Sequence, residues 1–130
     1  MKKEIRTDKA PQPIGPYSQG LIVGNMIFVA GQGPRNPETG KTPETIGEQT
    51  RQVMTNIKMI LEAGGATMDN VVKSTVHLAD LKDFQAFNEV YKEFFPEDQP
   101  ARTTVGVQLP KIKVEIDCVA RARKTPKRRS

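Results

Sequence analysis

The sequence predicts a single α+β domain in which a mixed sheet carries two helices on one face. Three observations predict it. Short β-branched runs and longer amphipathic runs follow one another in the order strand, strand, helix, strand, helix, strand, strand. No internal repeat divides the 130 residues, and a chain of this length buries about two thirds of its unfolded surface in one core. Strand-helix-strand crossovers are almost always right-handed, which puts both helices on the same side of the sheet.

The elements follow in chain order. Leu21-Ile22-Val23 and Met26-Ile27-Phe28-Val29-Ala30 flank Gly24-Asn25, a two-residue hairpin signal. A long loop follows, marked by Gly31-Gln32-Gly33-Pro34 and Asn36-Pro37-Glu38-Thr39-Gly40. No helix opens directly after those glycines, so they do not form a phosphate cradle; they let backbone approach a ligand or a neighbouring subunit. Thr45-Ile46-Gly47-Glu48 has the spacing of a capping box, and Ile46, Val53, Ile57, Ile60 and Leu61 recur at helical intervals until Gly64-Gly65. Residues 71–79 read as a strand. Asp80 is placed to cap a second helix carrying Phe84, Phe87, Tyr91, Phe94 and Phe95, a core-facing aromatic stripe that ends before Pro96. Two further strands, around Arg102 and Glu115, are joined near Leu109-Pro110-Lys111. Helices on one face leave the other face of a β-branched sheet bare, which predicts a homo-oligomer with clefts between its subunits.

Composition narrows the function. The net charge of +5 comes from the C-terminal end: without Arg121, Arg123, Lys124, Lys127, Arg128 and Arg129 the chain has 14 basic and 15 acidic residues. The expected domain is residues 1–121, followed by a basic, disordered tail at residues 122–130. Nucleic acid could bind that tail electrostatically, although no aromatic is interleaved there for base stacking. The single cysteine, Cys118, lies on the apolar side of its strand and predicts a buried, inert thiol in a reducing compartment. No segment has the length of a membrane span, so the expected location is the cytoplasm.

Arg102 stands out in a strand of small and β-branched residues, and a planar guanidinium suits a carboxylate held bidentately. Val114, Ile116 and Cys118 alternate with Glu115 and Asp117, so the two acids share one strand face. If the two strands pair, Arg102 and Glu115 could line one cleft. His77 is the only histidine, which leaves too few ligands for a zinc shell and none to spare for a Ser-His-Asp triad or a histidine-pair nuclease. The chemistry left needs a carboxylate anchor, a water and proton-handling groups, without metal or organic cofactor. Hydrolysis of an activated carbon-nitrogen double bond meets that description.

The segments Pro13-Ile14-Gly15-Pro16-Tyr17-Ser18-Gln19, Gly24 to Gln32, Phe87-Asn88-Glu89-Val90-Tyr91, Pro100-Ala101-Arg102 and Val114-Glu115-Ile116-Asp117 closely resemble the reactive-intermediate deaminase (Rid) family, formerly endoribonuclease L-PSP. The resemblance runs in order from about residue 5 to residue 121. It implies a chorismate-mutase-like subunit, a homotrimer, and hydrolysis of small 2-imino acids to 2-oxo acids and ammonia. It also implies roles: Arg102 for the substrate carboxylate, Glu115 for the hydrolytic water, Tyr17 for closing the cleft and moving a proton, Gly31 for its backbone, and Asn88 beside the pocket. Thr104 stands where many relatives have cysteine, and its hydroxyl can hold a water or a substrate nitrogen. The family's older name keeps two alternatives open, a ribonuclease or RNA-binding translation inhibitor, and a ligand-binding trimer without turnover.

Overall fold

Six strands, β1 (Lys2–Ile5), β2 (Gly20–Val23), β3 (Met26–Gln32), β4 (Val71–Leu78), β5 (Ala101–Gly106) and β6 (Val114–Arg121), form one sheet in the order β1-β2-β3-β6-β4-β5 in a computed structural model that describes residues 1–122. Only β4 and β5 run parallel. The helices are α1 (Ile46–Ala63) and α2 (Phe84–Tyr91). The expected basic tail lies, apart from residue 122, outside the described residues.

The expected hairpin is β2 and β3. Gly24 has φ +60° while Asn25 keeps negative φ, so a glycine occupies the left-handed position at the first turn residue. Thr45 caps α1, its Oγ1 accepting from the Glu48 N–H at 3.1 Å. The helix buries Val53, Met54, Ile57, Ile60 and Leu61 against β3 and β6. Each large side chain fully withdrawn from water contributes roughly 1.5–3 kcal/mol.

Two expectations about α2 change. Asp80 caps a separate 3₁₀ turn, Leu81–Asp83, with its Oδ1 accepting from the Lys82 N–H at 2.9 Å; this short side-chain bond favours a tight turn over a full helical cap. The aromatic stripe is also narrower than expected. Phe87, Tyr91 and Phe95 are buried and stack in sequence with ring centroids 5.2 and 5.1 Å apart, whereas Phe84 is 41% exposed. Strand β1 is an addition: charged apart from Ile5, it has almost no apolar alternation to reveal it, yet it pairs with β2 and buries Ile5.

Alternation sorts the sheet into two faces. Ser74, Val76 and Leu78 of β4 and Val114, Ile116, Cys118 and Ala120 of β6 are buried beneath the helices. Tyr91 ties α2 to this layer, its Oη lying 2.6 Å from Ser74 Oγ. Burial raises the Tyr91 phenol above its ordinary pKa, and burial aided by the Asp117 carboxylate pushes the Cys118 thiol up to about 12, as suits an inert thiol. The opposite face has no covering element among the described residues, and Val23, Phe28 and Val105 are each about two fifths exposed there.

Two substitutions test this account. Gly24→Ala meets no atom within 4 Å, so its cost is conformational alone; a loss of about 1–2 kcal/mol in urea denaturation is expected. Tyr91→Phe removes the partner of a buried hydroxyl, and the same measurement should show a loss of about 1–3 kcal/mol that Ser74→Ala largely relieves in the double variant.

Candidate active site

The two strands whose pairing would put Arg102 and Glu115 in one cleft are not neighbours. β4 lies between β5 and β6, with Ser74 opposite Arg102 and His77 opposite Glu115. Ser74 and His77 are three residues apart, with no bulge between them, so they point to opposite faces. Arg102 and Glu115 therefore do not line one cleft within a single chain. The pairing condition is not met because the last two strands, adjacent in sequence, are separated by a strand that precedes both.

Arg102 lies on the helix-covered face at the β5 edge. Its Nη1 donates to Asn88 Oδ1 at 2.9 Å, and its guanidinium carbon sits 4.9, 5.4 and 5.6 Å from the ring centres of Tyr91, Phe87 and Phe84. The aromatics of α2 thus serve as more than core: three of them surround a cation. The sequence signal was present in the spacing of Phe84, Phe87, Asn88 and Tyr91, which places them on one stretch of helix surface. Arg102 forms no ion pair with a carboxylate among the described residues, so part of its fork remains open toward a cavity of about 440 Å³ lined by Asn88, Tyr91, Phe95 and Pro100 among others. Thr104 shares the Arg102 face two residues along, and its Oγ1 is buried without a hydrogen-bond partner among the described residues.

Glu115, Gly31 and Tyr17 form a second group. Val29 opposes Cys118 while Gln32 opposes Ile116, so β3 carries one extra residue, a bulge at Ala30-Gly31. The bulge brings the Gly31 backbone against the Glu115 side chain on the bare face. Tyr17, half-exposed, lines a small cavity of about 160 Å³ together with Gly31 and Ile14, and its Oη accepts from the Ile14 N–H at 3.3 Å.

Buried amides, which sequence reasoning passed over, hold the loops of this second group. Gln19 Oε1 accepts from the Thr7 N–H at 2.8 Å, while its Nε2 donates to the carbonyls of Thr7, Ala10 and Pro11 at 3.0, 3.3 and 2.9 Å. Asn56 Nδ2 donates to the carbonyls of Gly33 and Arg35, both at 3.0 Å. For Asn56 the signal is a polar residue inside the apolar pattern of α1, whereas Gln19 lies in the loop before β2 and carries no such signal; either amide is buried at small cost only because its bonding capacity is used.

The family model described as endoribonuclease L-PSP matches residues 7–122. A RutC family protein of Pyrococcus abyssi is 55% identical over 122 residues, covering 92% of this chain and 96% of its own. The 2-iminobutanoate/2-iminopropanoate deaminase of Escherichia coli K12 is 46% identical over 125 residues, covering 92% of this chain and 98% of its own. Among solved structures, Escherichia coli TdcF with bound serine is 42% identical, has a TM-score of 0.89 and covers 93% of this chain and 99% of that one. No helix of the described residues is long and apolar enough to cross a membrane. Both groups of candidate residues, from Tyr17 to Glu115, fall within one match that spans nearly the whole fold, and the chain belongs to the endoribonuclease L-PSP, or Rid, family.

Proposed function

We propose that this protein hydrolyses reactive 2-imino acids, formed from enamines such as 2-aminoacrylate, to 2-oxo acids and ammonia. The observation that carries this reading is the open fork of Arg102: a guanidinium seated among rings and bonded to a neutral amide keeps donors for a substrate carboxylate. The deaminase named among its relatives supports the same chemistry.

Because Arg102 and Glu115 face opposite sides of one sheet, the working cleft is assigned to two subunits of a homotrimer. Arg102, Asn88 and Thr104 come from one copy, and Tyr17, Gly31 and Glu115 from its neighbour. The bare face, with Phe28 and Val23 exposed, is the surface such an assembly would cover. In the reaction, Arg102 holds the carboxylate and Glu115 accepts a proton from the attacking water as its oxygen bonds to the iminium carbon. The carbinolamine nitrogen takes up a proton from the Tyr17 hydroxyl and leaves as ammonia while the carbon-oxygen double bond forms and the carbinol hydroxyl returns its proton to the Tyr17 oxygen; the proton on Glu115 then passes to the departing ammonia, which restores the carboxylate. Thr104 offers its hydroxyl to the water or the nitrogen, and the Gly31 backbone lines the cleft. Such an enzyme would clear enamines and imines in the cytoplasm.

Arg102→Ala should lower catalytic efficiency by about 30-fold to several thousand-fold, the equivalent of about 2–5 kcal/mol. Arg102→Lys should restore part of it, since a point charge cannot reproduce the fork. Glu115→Gln should reduce kcat more than it raises KM. All three are read as ammonia release from 2-iminopropanoate generated in place by an amino-acid oxidase, corrected for spontaneous hydrolysis. Wild-type rates in all three would overturn the assignment. RNA cleavage retained by the same variants would instead favour the endoribonuclease reading carried by the family's description.

Mixing subunits tests the shared cleft. Arg102→Ala and Glu115→Gln chains, co-refolded in equal amounts, should regain about one quarter of wild-type activity, because one in four random neighbour pairings joins an intact Arg102 to an intact Glu115. A site contained in one chain would regain none.

A further inference from the structure

We propose that Gly31 is a positioning residue for the water-handling carboxylate: the space left by its missing side chain is the seat of Glu115. A Cβ built at Gly31 would lie 3.0 Å from Glu115 Oε2, 3.1 Å from its Cδ and 3.4 Å from its Cγ. All three nearest atoms belong to one ionisable side chain. At Gly15 and Gly40 the nearest ionisable side chains, Tyr17 and Arg35, lie at 3.4 and 3.5 Å, which is ordinary contact. At Gly20 the close atoms come from Ile60, Phe28 and Ile5, which is core packing, and at Gly33 the nearest atom is 3.5 Å away.

The close approach follows from the bulge. Ala30 and Gly31 together occupy the stretch opposite Asp117 alone, and the extra residue swings Gly31 toward Glu115. Glu115 cannot easily retreat as a whole. Its backbone is fixed in β6 opposite His77, whose Nδ1 lies 3.1 Å from the Glu115 carbonyl oxygen. A methyl group at residue 31 must therefore be met by rotation of the Glu115 side chain, and the carboxylate moves away from the position the backbone now gives it. Gly31 thus acts on the reaction through Glu115, in addition to lining the cleft with its backbone.

This inference rests on the deaminase reading for its kinetic consequence, while its geometric content stands apart. The test is a double-mutant cycle of Gly31→Ala and Glu115→Ala, followed by kinetics and by thermal melting. With Glu115 present, Gly31→Ala should lower kcat for ammonia release about tenfold or more and leave KM within about threefold, as expected for a small displacement of a reacting group whose partner Arg102 still binds substrate. It should also lower the melting temperature. With Glu115→Ala there is no carboxylate to displace, and Gly31→Ala should then change residual turnover and melting temperature little, by less than about twofold in rate. An equal loss in both backgrounds, or no loss with Glu115 present, would overturn the proposal. If Gly31→Ala alone does not fold, Glu115→Ala should restore its folding, and a double variant that also fails to fold would overturn it too. Absence of ammonia release by the wild-type protein would defeat the deaminase reading, with the melting cycle still deciding the seat.

Discussion

The β4–β6 ladder, regular from Leu78 opposite Val114 to Lys73 opposite Val119, imposes a period of two on the middle of the molecule. One set of positions is apolar and closes under α1 and α2; the alternate set carries Thr75, His77, Glu115 and Asp117. A one-residue slip would bury two carboxylates and expose Ile116 and Cys118, so the register is held by the full cost of that exchange. Everything about the candidate site follows from this alternation, since it decides that Arg102, in step with Ser74, and Glu115, in step with His77, are kept apart.

Each half of the site is then built by a different device. Arg102 is immobilised by aromatic surface and a single amide, an arrangement that restrains a cation without neutralising it. A carboxylate in place of Asn88 would satisfy the guanidinium internally and compete with any incoming anion. Glu115 is shaped instead by backbone irregularity, in which the bulge of β3 replaces a regular neighbour with a residue lacking a side chain.

Much of this was legible in the sequence. The Gly24-Asn25 turn, the Thr45 cap and the period of α1 are local signals, and local signals survive folding. Glu115 on a face opposite Cys118 was legible too, because a strand's alternation needs no knowledge of its neighbours. What could not be read was strand order. Nothing in Arg102 or Glu115 says that β4 will come between them, as that depends on which edges close around β6. Strand β1 escaped notice because Ile5 alone carries its apolar content, and Phe84 was misjudged because helical spacing places a residue near the core without saying whether the sheet extends beneath it.

One of the two central strands of the sheet, β6, is also the last in chain order among the described residues, and this shapes how the molecule is made. The hairpin of β2 and β3 forms from contacts close in sequence, but the β3–β6 ladder joins Met26 to Arg121 and cannot begin until almost the entire domain has been synthesised. Until β6 inserts, β3 and β4 each present an unpaired edge. Closure of the core is thus a late, single event in which one strand satisfies two edges at once, and during translation the nascent chain passes through a stage when both are open to other chains.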